Sequence, residues 1–149
     1  MNFKKLHAVT VYCVYTDIAV LLLRLVAGLA FIFHGWSKIQ NPFGWMGPEG
    51  FAPAPFQALA AISEVVGGMF WIVGLLTRLS ALGMACTMGV AVCMHMFMRG
   101  DPFVTMGGSS YELAAIYFCI SILLLAAGPG RFSFDGKLFG RHGRDRDND

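Results

Sequence analysis

Apolar residues fall in four long blocks, separated by short gaps rich in proline, glycine and polar residues. A helix rises 1.5 Å per residue, so crossing a hydrocarbon core of about 30 Å takes roughly 20 residues. Four windows meet that length: 17–36, 56–76, 79–98 and 111–127. The blocks are continuously apolar, whereas barrel strands alternate over about 10 residues, so a transmembrane β-barrel does not fit. The pattern predicts an all-α integral membrane protein, a four-helix transmembrane bundle over 17–127. A short N-terminal segment (1–16) and a C-terminal tail (128–149) flank it.

The gaps read as helix ends. Asn41-Pro42-Phe43-Gly44 and Gly47-Pro48-Glu49-Gly50 are turn sequences. Pro53 and Pro55 precede the second block, where proline can start a helix. Leu76-Thr77-Arg78 leaves room only for a tight hairpin between the second and third blocks. Gly100-Asp101-Pro102 closes the third, and Gly128-Pro129-Gly130 stops the fourth.

Composition agrees. Of the 149 residues 56% are apolar and 13% charged, against about 45–50% and about 25% in soluble domains. That excludes a disordered chain, a coiled coil, a disulfide scaffold and an ordinary soluble enzyme. Four spans place both termini and the Arg78 turn on one side, with Lys4, Lys5, Arg131, Lys137, Arg141, Arg144 and Arg146. The other side holds Lys38 and Arg99. Positive charge prefers the cytoplasm, so an N-in/C-in arrangement is expected. The net charge of +2 gives no reason to expect nucleic acid. Asp17 and Arg24 interrupt what would be the core of a signal peptide, so the first block is read as a retained span. Trp36 and Trp45 are placed near the outer boundary and Trp71 near the inner one, as an aromatic belt.

Ionisable residues inside the spans carry the most information, because a charge in hydrocarbon costs several kcal/mol unless paired or wet. Arg24, Ala27, Phe31, His34 and Lys38 make one stripe of the first helix. Glu64 lies on a stripe of small residues with Ala60, Ala61, Gly67 and Gly68, plus Trp71, and so faces packed protein. His95 follows Met84, Met88 and Ala91 on the third helix, and Glu112 opens the fourth, where its charge also suits the helix dipole. With the stripes facing one another, Arg24, His34, Lys38, Glu64, His95 and Glu112 are the candidate binding residues. Glu64, Arg24, His34 and His95 are the candidates for proton chemistry. Helix rise puts Glu64 about 7 Å above Arg24, within reach of an ion pair. Such a pair can also serve only to set helix register.

Cys13, Cys86, Cys93 and Cys119 contain no C-x-x-C pair, so a dithiol mechanism lacks its motif. No metal site is expected, because His34 and His95 alone supply too few ligands. Met94, Met96 and Met98 alternate around their helix and do not form a copper-binding cluster.

Arg24, His34-Gly35-Trp36-Ser37-Lys38, Glu64 with Gly67-Gly68, Gly74-Leu75-Leu76-Thr77-Arg78 and Gly128-Pro129-Gly130-Arg131-Phe132-Ser133-Phe134-Asp135 stand in an order and spacing that resembles the DoxX family of small bacterial membrane proteins. The resemblance runs from about residue 18 to 136. It implies a four-helix inner-membrane protein. It also implies a link to quinol oxidase and thiosulfate:quinone oxidoreductase systems, or to thiol and oxidative-stress systems. The family's polar signature falls on Arg24, His34, Lys38, Glu64, Arg78 and Asp135, with Arg78 and Asp135 tying the short turn to the segment after the last helix.

Three readings follow. The first is a membrane subunit of a redox system that binds a quinone or similar lipid between helices and has no redox centre of its own. The second is a non-enzymatic scaffold or assembly partner whose buried charges lock the bundle. The third is an oligomeric transporter or proton pathway. All three expect contact with membrane lipid and with a protein partner or further copies of the chain.

Overall fold

The first apolar block forms a single helix, α1 (Val14–Ile39), of 26 residues. In the computed structural model, which describes residues 9–10, 12–139 and 141–142, α1 is followed by α2 (Ala54–Val73) and α3 (Thr77–Cys93). A π-helical turn, Met94–Met98, extends α3; then come α4 (Glu112–Ala127) and a short α5 (Phe134–Leu138). Two residues before α1, β1 (Val9–Thr10), pair in parallel with β2 (Arg141–His142), Val9 opposite Arg141. Lys4, Lys5, Arg144 and Arg146, used above for sidedness, lie outside the described residues.

Three helices are long and apolar enough to cross a membrane: Val14–Ile39, Ala54–Val73 and Thr77–Met98. The fourth, Glu112–Ala127, has 16 residues, about 24 Å by helix rise. Among the described residues α1 packs on α2, α2 on α3 and α3 on α4. Phe31 closes the ring by touching Tyr117 of α4, with ring centroids 4.7 Å apart.

Local sequence explains the ends. Pro53 and Pro55 stand at the start of α2. Its end falls at Val73 rather than at 76, because Gly74 takes a left-handed cap (φ 70°). The Gly74 and Leu75 N–H groups both donate to the Phe70 carbonyl, at 2.8 and 2.9 Å, satisfying an otherwise orphaned acceptor. Gly128 ends α4 at a positive φ (81°) but with extended ψ, its N–H donating to the Leu124 carbonyl at 2.9 Å.

Helices α1 and α2 touch through backbone. A Cβ added to Gly28 would lie 2.7 Å from the Gly68 carbonyl oxygen, and one added to Gly68 would lie 2.6 Å from that of Gly28. Only glycine permits this approach, as in membrane helix pairs generally. The crossing fixes the register, with Gly35 level with Glu64 and Val65.

The core gathers Phe31, Trp71, Met84, Met88 and Leu124. Trp71 is fully buried, edge-to-face with Phe31 at 5.4 Å. It is a core residue, not part of an interfacial belt, because the bundle closes over this level of α2.

Candidate functional site

The buried charges separate into two groups at opposite ends of the bundle. At the end carrying the α2–α3 turn, Arg24 is fully buried. It donates to the carbonyls of Trp71 (2.8 Å), Pro129 (2.7 Å), Phe132 (2.9 Å) and Ile72 (3.3 Å). These are acceptors left over at the end of α2 and in the segment after α4. Asp135 accepts from the backbone N–H groups of Leu76 (2.7 Å) and Thr77 (2.9 Å). It thereby holds Leu76 in its left-handed conformation (φ 45°) and caps α3. Asp17 accepts from the Arg131 N–H at 2.9 Å and faces its guanidinium at 3.3 Å. Arg78 donates to the Leu125 carbonyl at 3.0 Å. Charged side chains here serve the backbone.

Arg24 therefore does not pair with Glu64. The level of Gly35, where Glu64 sits, is eleven residues along α1 from Arg24, or about 16 Å. The shorter separation expected from sequence aligned the two helices by their loop ends. The Gly28–Gly68 crossing sets a different register.

Glu64 pairs instead with Lys38, in the last turn of α1. Lys38 Nζ lies 2.6 and 2.8 Å from the two carboxylate oxygens, and 4.8 Å from the centre of the Trp45 ring. Glu64 is 1% exposed and the Lys38 side chain 25%. A pair this buried gains little net stability as a pair, but removing one partner costs about 3–5 kcal/mol.

This pair lines a cavity of about 680 Å³ between α2 and α3, roofed by the α1–α2 loop. Its volume falls within the usual range for small-molecule sites. Most of the wall is apolar or aromatic, including Trp45, Phe51, Phe56, Leu59 and Met88. Ser63 and Thr87 add hydroxyls 2.8 Å apart across the α2–α3 seam. The roof is held by Gln57, whose side chain accepts from Met46 N–H (3.1 Å) and donates to the Ala52 carbonyl (2.8 Å). Trp45 Nε1 donates to the Gln57 carbonyl at 3.0 Å. Sequence reasoning missed Gln57 and Trp45 as parts of the site. The available signal was one amide at the buried head of α2.

Of the six candidates, Lys38 and Glu64 line this cavity. His34 is exposed beside Tyr117, with ring centroids 6.1 Å apart; Gly35 takes the buried place on the stripe. Glu112 lies in the first turn of α4. His95 lies in the π-helical turn that ends the third span, where the Arg99 N–H donates to the Met94 carbonyl at 3.1 Å, and it does not line the cavity. Its Nδ1 meets Asp101 Oδ2 at 2.6 Å, where Ser109 also donates at 2.8 Å and Arg99 stands 3.3 Å away. The hydrogen bond from His95, then that from Ser109, holds the Asp101 carboxyl below its ordinary range. This knot ties the α3–α4 loop to the end of α3. The four cysteines are free and exposed. Among the described residues no group of three or more His, Cys, Asp or Glu could hold a metal ion.

The DoxX family matches residues 19–97, which include most of α1 and all of α2 and α3. The chain belongs to the DoxX family. Its relatives include an uncharacterized protein of Haemophilus influenzae, 30% identical over 119 residues, covering 78% of this chain and 88% of that one. An uncharacterized membrane protein of Mycobacterium tuberculosis is 31% identical over 133 residues, covering 80% of this chain and 81% of that protein. "Putative oxidoreductase CatD" of Bacillus subtilis is 31% identical over 132 residues, covering 83% and 93%. No solved structure matches the chain at a significant level. This DoxX protein is thus a membrane protein whose ion-paired cavity lies within the family's matched region.

Proposed function

We propose that this DoxX protein is the membrane subunit of a redox system and that its α2–α3 cavity takes the headgroup of a quinone. The observation that carries the reading is the Lys38–Glu64 pair set in an otherwise largely apolar cavity within the spanning helices. A relative named as an oxidoreductase adds support.

The residues present fit such a group. Trp45 and Phe56 offer flat apolar walls, and the mouth lies among lipid-facing side chains such as Phe56 and Leu59, 63% and 61% exposed. Lys38 has three N–H donors and spends two on the carboxylate, which leaves one for a ligand carbonyl oxygen. Glu64 holds the Lys38 ammonium aimed into the cavity by two hydrogen bonds, and its carboxylate is a place where a proton can be held. A quinone supplies two-electron, two-proton chemistry when bound, so the electrons come from a partner protein. In this reading both termini face the cytoplasm, on the side carrying Arg78, Arg131 and Lys137, in a bacterial inner membrane. Helix α4, 16 residues long, then crosses as well.

The test is extraction of the purified protein and quantification of quinone by mass spectrometry. Wild type is expected to carry quinone near one per chain, above an unrelated membrane protein. The neutral double variant Lys38→Met/Glu64→Gln removes the pair without stranding a charge, and should lose about ten- to hundredfold of that occupancy while staying folded. Equal quinone in both proteins counts against the site. A scaffold role is the second reading, favoured by Arg24 and Asp135, whose hydrogen bonds all go to backbone. Absence of quinone from a folded wild type, with a larger protein co-purifying, would favour it.

A further inference from the structure

Helix α3 borders a second space besides the headgroup cavity. A second groove of about 620 Å³ runs along the outer face of α3 against α4, from Leu82 near one end to Met98 at the other. Phe51, Cys86, Val90 and Met94 line both spaces. Cys86, Val90 and Met94 form one ridge of α3, at intervals of four residues, and Phe51 overhangs it from the α1–α2 loop. The two spaces therefore meet across that ridge.

Their chemistry differs. The cavity holds the ion pair, Gln57 and two hydroxyls. No charged side chain lines the groove, whose far wall is Phe118, Ile122 and Leu125 of α4. From residue 82 to residue 98 the groove extends about 24 Å along the helix. That is far longer than any headgroup and comparable to the depth of a bilayer core. Polar head space beside a long apolar groove, with one ridge between them, suits one amphiphile bent over α3.

We infer that the α3–α4 groove holds the polyprenyl tail of the lipid whose headgroup lies against Lys38 and Glu64, so that the substrate class is a long-tailed membrane quinone rather than a small soluble one. The inference rests on the proposed headgroup site. It adds a path for the tail, with Cys93, exposed and belonging to the groove alone, as a residue that touches tail and not headgroup.

The experiment is photo-crosslinking of the full chain in phospholipid vesicles. The probe is a benzoquinone whose isoprenoid tail ends in a diazirine, and adducts are mapped by mass spectrometry. A tailless benzoquinone is the competitor. The expected result is competitor-sensitive adducts on the peptides of α3 and α4, lost in Lys38→Met/Glu64→Gln. Cys93→Trp should lower them about fivefold by filling the groove, while uptake of the tailless quinone is unchanged and shows that this variant is folded. Competitor-sensitive adducts on α1 or α2 would overturn the tail path and leave the headgroup site standing. Adducts in the groove that resist both competitor and double variant would mean bulk lipid there, and would overturn the inference. No competitor-sensitive adduct anywhere would remove the headgroup site and the tail path together.

Discussion

Among the described residues each buried charge has a specific partner, and the partner's nature separates structure from chemistry. Arg24 meets only carbonyl oxygens and Asp135 only backbone N–H groups. Glu64 alone meets a cation inside a cavity. Asp135→Ala therefore strands the N–H groups of Leu76 and Thr77 and releases a residue held at positive φ. A loss of about 2–3 kcal/mol is expected, since bonds to charged groups are worth about 1.5–3 kcal/mol. Thermal unfolding in detergent reads it, and quinone content of the folded fraction should stay at the wild-type level. Unchanged stability would mean that the turn holds its shape without this cap. Sequence placed Arg24 and Glu64 on inward stripes correctly, but gave no way to tell a carbonyl-capping arginine from a catalytic one. Both need the same periodicity.

Among the elements, the α1–α2 pair controls the site. Its two glycines let the backbones meet, and that contact sets Lys38 opposite Glu64. Gly28→Val would place side-chain carbons against the Gly68 carbonyl oxygen, which lies 2.7 Å from the first of them. Pushing the helices apart is expected to cost at least about 1–3 kcal/mol of stability, as overpacking does, and to lower quinone occupancy with it. Assays of both on one preparation check this. A variant as stable as wild type would show that the crossing relaxes without cost. The small-residue faces were legible in sequence, because glycine and alanine repeat at helical spacing. The register was not, because equal-looking faces can slide by a turn until two backbones are brought together. The π-helical turn was hidden for a similar reason: Met94–Met98 is ordinary apolar sequence, and one extra residue per turn leaves no mark in composition.

For the molecule as a whole, the two loops at the Lys38–Glu64 end respond differently to pH. That end carries the knot in which Asp101 and Ser109, outside the spanning segments, meet His95 in the last turn of the third one. Hydrogen bonding holds the Asp101 carboxyl below its ordinary value. Its contribution to stability is then fully present above the unfolded-chain value of about 4, and is lost as pH falls through the lower folded value. The stability gap between wild type and Asp101→Asn should be complete at pH 6 and shrink as pH drops below about 4. Unfolding scans at each pH measure the gap; a constant gap would show that the carboxylate's charge contributes nothing. The Gln57-bound roof over the cavity has no carboxylate partner in its hydrogen bonds and should keep its protection over the same range.

Length and continuity of the apolar blocks were enough to place the chain in a bilayer and to locate its helices to within a few residues, because the cost of exposing backbone to hydrocarbon leaves few alternatives. Glycine and proline marked most ends, since their backbone limits act locally. Which charges meet was decided only in three dimensions. Helix phase and crossing register depend on contacts between residues far apart in the chain, and a shift of a few residues moved the partner of Glu64 from Arg24 to Lys38. The cavity and its roof are likewise tertiary products, made where α2, α3 and a loop leave space that no single segment encodes.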